Sequence, residues 1–264
     1  MSYPNCTLVT PTYNWPEALN LLLLSILHQT ILPNEVIIAD DGSTKDTKEL
    51  ISEFQKTFPV PLIHIWHEDL KNRKPAIMNK AIAASKYDYI IEIDGDIIMN
   101  KHFIKDHLDN AQKGHYLFGS RVNIKKGYLT KLFSKKKIHF NIHSKGIKKR
   151  GRTIRLPYLM RFSKSINTRS PKLRGCNMSF WKSDFIKING FNENLVGWGI
   201  DDSEMIQRMH NIDIQGKRLK NCGVVYHIYH VEQSRSQLAI NDEILKQTTE
   251  KKLIFIEKGI NQYL

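Results

Sequence analysis

Short apolar runs alternate with stretches of helical periodicity in the first part of the chain. The apolar runs occupy residues 6–10, 36–39, 62–66 and 89–93. After the first run, apolar residues recur at the spacing of one helix face, at Leu19, Leu22, Leu23, Ile26 and Leu27. Strands that alternate with helices predict a parallel sheet covered on both faces. The sequence therefore predicts an α/β fold with a mostly parallel central sheet flanked by helices.

Three of the predicted strands end in polar or acidic residues. The C-terminal ends of parallel strands lie along one edge of a sheet, where open α/β sheets bind their ligands. The expected crevice is lined by Thr10, Asp40, Asp41, Asp94 and Asp96. Asp94 and Asp96, separated by Gly95, would repel each other unless a divalent cation with hard oxygen ligands lies between them. The alternative is an ordinary turn, because Asp-Gly is typical of turns.

No glycine-rich phosphate loop accompanies this crevice. A G-x-G-x-x-G fingerprint does not follow the first strand, and a G-x-x-x-x-G-K-[ST] loop is absent from the sequence. A phosphate bound here would have to be held by a metal ion and by side chains.

Basic residues are concentrated in one segment. The formal charge is +14, yet no Asp or Glu occurs between Asp109 and Asp184, an interval that holds 20 of the 40 Lys and Arg residues. Such a segment favours a polyanion, an anionic membrane surface or a phosphate-bearing substrate. Its core is expected to form either a mobile lobe or a pair of amphipathic helices.

The termini and the cysteines predict the compartment. The N-terminus carries neither a basic nor a long apolar signal region, and the most apolar stretch, residues 19–27, is too short to span a bilayer. The three cysteines are far apart in the sequence and odd in number, which suits a reducing cytoplasm better than a disulfide framework or a zinc site.

The C-terminal half contains two further polar groups. Asp201 and Asp202 are expected at the N-terminus of a helix, where the helix dipole stabilises carboxylates; a simple helix cap is the alternative to a functional role. Residues 224–230 are expected to form a final strand carrying His227 and His230. Because side chains alternate on a regular strand, these two imidazoles should lie on opposite faces. An amphipathic helix is predicted after residue 238.

Several of these motifs together resemble family 2 nucleotide-sugar glycosyltransferases with the GT-A fold. The matching stretches are Thr-Pro-Thr-Tyr-Asn at 10–14, Ser-Ile-Leu-His-Gln-Thr at 25–30, Ile-Ala-Asp-Asp-Gly-Ser at 38–43 and Asp-Gly-Asp at 94–96. The stretch Gly-Trp-Gly-Ile-Asp-Asp at 197–202 resembles a signature of the galactosyltransferase C-terminal region. The resemblance implies a Rossmann-like GT-A fold with a C-terminal acceptor-side region and a basic insertion.

The resemblance also implies a role for each matching residue. Asp96 would bind Mn²⁺ or Mg²⁺ with His227 as a further ligand, and Asp202 would be the catalytic base. Nucleotide-sugar contacts would come from Thr10, Pro11, Tyr13, Asn14, Asp40, Asp41, Arg73, Asp94 and Gly95. Sugar or acceptor contacts would come from Arg174, Asn177, Trp198 and Asp201. The chain departs from the family at residues 71–75, where a Gly-Phe-Arg-like element is usual, and at Met78, where Arg is frequent.

These expectations define a predicted function. The chain would be an inverting, metal-dependent glycosyltransferase that moves a hexose or N-acetylhexosamine from a UDP-sugar to a glycan or lipid-linked glycan of a capsule or lipopolysaccharide. It would be cytoplasmic and peripheral on the inner face of the membrane, and would not bind nucleic acid. The alternatives are a nucleic-acid-binding protein that uses the basic segment and a nucleotidyltransferase with the same metal chemistry.

The predicted organisation has four parts. Residues 1–122 form the nucleotide-sugar-binding half, 123–172 the basic insertion, 173–237 the acceptor-binding and catalytic half, and 238–264 a C-terminal helix.

Overall fold

The structure, a computed structural model, describes residues 3–195, 199–231 and 238–264. Its strands are β1 (Cys6–Thr12), β2 (Glu35–Asp40), β3 (Leu62–Trp66), β4 (Tyr89–Glu92), β5 (Ile97–Met99), β6 (His115–Phe118), β7 (Arg121–Ile124), β8 (Ile147–Lys148), β9 (Ser165–Ile166), β10 (Met178–Trp181), β11 (Gln215–Arg218) and β12 (Val225–His227). Its α-helices are α1 (Pro16–Leu27), α2 (Lys45–Gln55), α3 (Lys74–Ala84), α4 (Phe103–Asp109), α5 (Leu129–Ser134), α6 (Lys182–Lys187), α7 (Asp201–Asn211) and α8 (Leu238–Glu250).

The large sheet has the strand order β3-β2-β1-β4-β10-β6-β11-β9. Its first four strands are parallel to one another, and β10 is antiparallel to both of its neighbours. Successive residues of β1 point to opposite faces: Leu8 packs in a cluster with Leu22 of α1, whereas Val9 packs with Ile77 of α3. The prediction of a mostly parallel sheet covered by helices on both faces is confirmed.

A second sheet, in the order β5-β12-β7-β8, was not predicted. Its strands have two to four residues, too few for a periodicity to be read from the sequence. The expected strand over residues 224–230 was too long, because β12 ends at His227. Polar and apolar residues alternate along β7, where Val122 and Ile124 are buried in a third hydrophobic cluster.

The basic segment 123–172 is folded against this second sheet. A pair of amphipathic helices was the wrong expectation, because the segment contains one short α-helix, α5, together with 3₁₀ turns, the end of β7 and the strands β8 and β9, of which β9 pairs with β11 of the large sheet. Leu132 and Ile147 are buried in the third cluster with Tyr226, and the Tyr226 hydroxyl donates a hydrogen bond of 3.0 Å to the carbonyl oxygen of Phe140. The apolar residues between the basic clusters thus supply a core of their own.

The C-terminal helix is shorter than expected. It ends at Glu250, and Lys252 adopts a left-handed backbone conformation with φ of 49°. Residues beyond this point return to the large sheet, where Ile260 is fully buried in the same cluster as Ile77. The prediction of a helix over 238–264 is therefore correct only for its first part.

Helix α7 is anchored by a buried ion pair. The Arg208 guanidinium donates two hydrogen bonds to the Glu204 carboxylate, at 2.8 and 2.7 Å, and both side chains are fully buried. Arg208 also donates to the carbonyl oxygens of Ile188 and Gly190. Thr248 of α8 donates to Glu204 at 3.1 Å. This network holds the N-terminus of α7 in place relative to the large sheet.

Substituting Glu204→Gln is expected to destabilise the fold by about 3–5 kcal/mol, because Arg208 is left as a buried charge without a counter-ion. The matched control is Glu49→Gln, which breaks the exposed ion pair with Lys45 at the same i,i+4 spacing and should cost at most about 0.5 kcal/mol. Urea denaturation measures both free energies of unfolding. Equal losses in the two variants would contradict the prediction.

Among the described residues, no helix combines the length and apolarity that a bilayer crossing requires. The three cysteines are buried and are not paired with one another.

Candidate functional site

The Asp94, Gly95 and Asp96 turn lies at the C-terminal end of β4, between the two sheets. Gly95 packs so closely on β1 that an added Cβ would lie 2.3 Å from the carbonyl oxygen of Pro11. Any side chain at this position would displace the turn. Asp96 is fixed by its own backbone, because its carbonyl oxygen accepts a hydrogen bond of 2.9 Å from the Ile228 amide.

Asp96 meets two histidines. Its Oδ2 lies 3.2 Å from Nε2 of His227 and 3.1 Å from Nε2 of His230. The candidate ligand atoms of the three residues lie within 4.8 Å of one another. The prediction that the histidines lie on opposite faces is wrong, because β12 ends at His227 and the alternation of a regular strand does not extend to His230. His230 was therefore missing from the predicted metal ligands.

The three side chains fit a divalent cation. Asp96 Oδ1 is buried and has no hydrogen-bond partner among the described residues, so one carboxylate oxygen is available as a ligand. Burial lowers the pKa of His227, although Asp96 opposes that shift, so this ring favours the neutral form that binds metals. The hydrogen bond to Asp96 raises the pKa of His230 to about 9. One carboxylate and two imidazoles suit Mn²⁺ better than Mg²⁺.

Two adjoining cavities meet at this group. The larger, of about 1050 Å³, extends over β7, β8 and the start of α7. The smaller, of about 460 Å³, is lined by Pro11, Tyr13, Asp41, Gly95 and Asp96 among others. Both are lined by Lys74, Asp94 and His230. The predicted crevice therefore has two chambers, with the candidate cation ligands at their boundary.

The predicted nucleoside contacts divide into accessible and buried groups. Tyr13 is exposed, and its hydroxyl donates to Asp69 at 2.9 Å. Asp41 accepts hydrogen bonds from the Arg73 amide and His67 at the edge of the small cavity. Burial raises the pKa of Asp41, although His67 and the Arg73 amide oppose this shift.

The remaining predicted residues of this group shape the loops. Asp40 is fully buried and bonds the Ser43 amide and His64, both at 2.8 Å. Asn14 accepts hydrogen bonds from the amide and hydroxyl of Thr44, and Thr10 is fully buried. The Arg73 guanidinium donates to the Glu68 carbonyl oxygen.

Lys74 is a crevice residue that the sequence reasoning missed. Its Nζ lies 3.2 Å from Asp94 Oδ1 and 3.6 Å from Asp201 Oδ2, so it joins the two chambers. Burial lowers the pKa of Lys74, but Asp94, Asp201 and Asp202 outweigh it, and the pKa is well above its ordinary value. The sequence did contain an indirect indication of this role. Lys74 lies at the start of a predicted helix, where the helix dipole disfavours a cation unless carboxylates are near.

Asp202 is positioned at the floor of the large cavity. The Gly175 amide hydrogen-bonds its carboxylate, and a Cβ on Gly175 would lie 1.9 Å from Oδ2. Asp202 Oδ1 is buried without a partner among the described residues. Burial and the neighbouring Asp201 raise the pKa of Asp202 to about 7. The residue before this pair, Ile200, has φ of 80°, a strained conformation for a β-branched side chain.

The predicted sugar-contacting residues differ in whether the structure places them at the crevice. Arg174 lies on the large cavity. Asn177 is not brought to the crevice: it is fully buried, and its amide donates to the carbonyl oxygens of Ser120 and Gly223 at 3.2 and 2.7 Å. The structure therefore assigns Asn177 a structural role. Trp198 lies outside the described residues.

Two family models match the chain. The model described as glycosyl transferase family 2 matches residues 7–172. A second model, described as the N-terminal domain of galactosyltransferase, matches residues 158–231. Together they include all the crevice residues named above.

Curated relatives are similar over most of this chain but are longer. A chondroitin synthase from Escherichia coli is 26% identical over an alignment of 220 residues that covers 77% of this chain and 32% of that protein. A GalNAc(5)-diNAcBac-PP-undecaprenol beta-1,3-glucosyltransferase from Campylobacter jejuni is 23% identical over 195 residues, which are 74% of this chain and 57% of that protein. The chain thus spans between about a third and somewhat more than half the length of these relatives.

Solved structures share the fold. A mannosyltransferase from Pyrobaculum calidifontis, in complex with GDP-Man and Mn²⁺, superposes with a TM-score of 0.61 at 17% identity, covering 98% of this chain and 66% of that one. TarS residues 1–349 from S. aureus, in complex with UDP, superposes with a TM-score of 0.60 at 14% identity, covering 91% of this chain and 64% of that one.

Proposed function

The chain belongs to glycosyl transferase family 2 and has the GT-A fold, and from this membership we propose that it transfers a hexose or N-acetylhexosamine from a UDP-sugar to a glycan acceptor with inversion at the anomeric carbon. The observation that carries the proposal is the arrangement of the crevice. A candidate cation group at Asp96 lies between one chamber beside Asp41 and another that contains Asp202.

The small chamber is the proposed donor site. Its candidate ligands Asp96, His227 and His230 would hold Mn²⁺ or Mg²⁺, and a cation there would neutralise the charge of a diphosphate leaving group. Tyr13 and Asp41 would contact the nucleoside, and Gly95, packed against Pro11, would keep the Asp94–Asp96 turn in place beside the diphosphate. The support from other proteins is that one similar structure was solved with GDP-Man and Mn²⁺ and another with UDP.

The large chamber is the proposed acceptor site, with Asp202 as the base. Proton removal by a positioned carboxylate is most effective when its pKa is near the working pH, and the pKa of Asp202 is about 7. Its unpartnered Oδ1 is available to accept the proton of an acceptor hydroxyl. Lys74 forms ion pairs with both Asp94 and Asp201. Burial raises the pKa of Asp94, but Lys74 and other nearby cations outweigh it, and the pKa is below its ordinary value.

The biological role that we propose is the synthesis of a surface glycan, either a capsule or a lipopolysaccharide, at the cytoplasmic face of the membrane. The relatives named above include a chondroitin synthase and a transferase whose name specifies a PP-undecaprenol substrate. Peripheral membrane contact is supported by Tyr158 and Phe162, which are 59% and 65% exposed in the segment that lacks acidic residues. Aromatic and basic residues together favour an anionic interface.

A panel of nucleotide sugars tests the proposal. Incubated with the full chain and Mn²⁺, a UDP-sugar should release UDP faster than GDP-sugars release GDP, and chelation of the cation should abolish the release because the diphosphate charge is no longer neutralised. Coupled detection of the released nucleoside diphosphate measures the rate.

Release of pyrophosphate instead of UDP would show nucleotidyl transfer. No release from any donor, or release that survives chelation, would overturn the proposed function.

A further inference from the structure

One wall of the acceptor chamber carries a concentration of positive charge. Its lining includes Arg121, Lys125, Lys126, Lys148 and Arg174. Four of these five residues come from strands β7 and β8 and the turn that follows β7. Within the described ranges, none of the five forms a salt bridge, whereas Lys74 on the chamber floor is paired with Asp94 and Asp201.

The β-structure aims these side chains at the chamber. Along β7, Val122 and Ile124 are buried in the core, so Arg121 and Asn123 point to the opposite face. Asn123 is opposite His227 in the parallel pair β7-β12 and opposite Lys148 in the antiparallel pair β7-β8. Residues opposite each other point to the same face, so one row runs from the cation ligand His227 through Asn123 to Lys148.

This row leads away from the donor site. Neighbouring strands are about 4.8 Å apart, so the backbone of Lys148 lies about 10 Å from that of His227. A cation held by Asp96, His227 and His230 would keep the donor diphosphate at the His227 end of this row. The outer end of the wall is thus beside the acceptor rather than beside the donor diphosphate.

Two observations support the wall as a binding surface. Asn123 Oδ1 is buried without a hydrogen-bond partner among the described residues, so in the middle of the row it can accept a hydrogen bond from a hydroxyl group of a bound glycan. Burial lowers the pKa of the adjacent Lys149, and Arg152, Arg121, Arg174 and Lys148 lower it further. The wall residues Arg121, Arg174 and Lys148 are therefore close enough to repel Lys149, and a bound anion would relieve that repulsion.

We propose that this wall, formed by Arg121, Lys125, Lys126, Lys148 and Arg174, binds an anionic group of the acceptor, so that the substrate is a negatively charged glycan. The inference rests on the proposed function, since it names the class of acceptor for the same chamber. A sugar carboxylate and a sugar phosphate both present oxygens that Lys and Arg bind through charge-assisted hydrogen bonds, and the experiment distinguishes them.

Isothermal titration calorimetry on the full chain, saturated with UDP and Mn²⁺ to occupy the donor site, tests the inference. One probe is a tetrasaccharide that contains uronic acid, compared with its carboxyl-reduced twin. The other is an oligosaccharide with a terminal phosphate, compared with its dephosphorylated twin. At least one charged probe should bind about tenfold or more tightly than its neutral twin, and added salt should weaken that preference.

The double variant Lys125→Gln with Lys148→Gln should reduce this preference to about twofold or less, because two of the charges that face the chamber are removed. The control Lys131→Gln with Lys135→Gln removes two exposed charges from the same segment, but neither residue lines the chamber, and it should keep the preference.

Equal binding of charged and neutral twins, binding of neither charged probe, or a preference that survives in the Lys125 and Lys148 variant would overturn the inference. Failure of the nucleotide-release panel with the charge preference intact would overturn the proposed function instead, and the two failures are therefore distinguishable.

Discussion

Substituting Asp202→Asn is expected to reduce the rate of sugar transfer by about 10²–10⁴-fold, the usual loss when a positioned general base is removed. Asparagine keeps the size of the side chain and an oxygen for the Gly175 amide, so donor binding should be retained. UDP release in the presence of acceptor measures the rate, and UDP binding by calorimetry measures the retained donor site. A variant with undiminished transfer would remove Asp202 from the mechanism.

The same substitution should stabilise the protein above pH 7. Burial and the neighbouring carboxylates Asp201 and Asp94 raise the pKa of Asp202 to about 7 from its ordinary value of 3.8, against the opposing effects of Lys74 and the Gly175 amide. The folded state therefore binds a proton that the unfolded state has already lost, and stability falls as the pH rises from about 4 to about 7.

Asparagine carries no charge, so the variant avoids this loss. Its free energy of unfolding should exceed that of the wild type by about 1–4 kcal/mol above pH 7, and the difference should shrink toward about pH 5. Thermal denaturation across this range gives the comparison. The control Asp213→Asn changes an exposed carboxylate and should show no such trend. If Asp202→Asn is less stable than the wild type at alkaline pH, the raised pKa of Asp202 in the folded protein is contradicted.

Substituting Asp96→Asn is expected to weaken Mn²⁺ binding by about 100-fold or more, because even residues that only support a metal ligand typically contribute 10–100-fold. Asp96 supplies the carboxylate that His227 and His230 both contact. Loss of the cation should remove several kcal/mol of charge stabilisation, or about 10³-fold in rate. Electron paramagnetic resonance of free Mn²⁺ measures binding independently of activity.

The control for Asp96 is Asp88→Asn, since Asp88 is an exposed carboxylate that pairs with Lys113 away from the crevice. It should bind Mn²⁺ as the wild type does. If Asp96→Asn binds the ion with unchanged affinity, the cation site is not at Asp96, His227 and His230.

The parallel part of the fold was predictable because three of its four strands, β1, β2 and β3, are each followed by a helix of 11 or 12 residues, long enough to show its own period. Strands β2 and β4 also contain uninterrupted apolar runs, Val-Ile-Ile-Ala and Tyr-Ile-Ile. The small sheet was not predictable in this way. Its strand β8 has two residues, and its pairing with β7 joins segments separated by a long basic stretch, which no local pattern reveals.

The difference between local patterns and long-range contacts also explains which site residues could be predicted from the sequence. The Asp94 and Asp96 turn was found because an apolar run ended abruptly in carboxylates. His230 was missed because the strand rule was applied beyond the end of β12, and Lys74 because an ion pair between distant segments leaves only an indirect signal. Asn177 was assigned to the sugar pocket by resemblance, yet its buried amide is already used by the Ser120 and Gly223 carbonyl oxygens.

The pairing of β8 with β7 sets the position of Lys148 relative to His227. Backbone hydrogen bonds fix the distance between Lys148 and His227. The loop between β7 and β8 can therefore vary in sequence, provided that the register of the two strands is kept. A one-residue slip would turn Lys148 to the opposite face, and a two-residue slip would move it about 7 Å along the strand. If the acceptor is held by its charge and Asp202 is the base, as proposed, that offset would decide which hydroxyl group reaches Asp202 and thus where the new linkage is made.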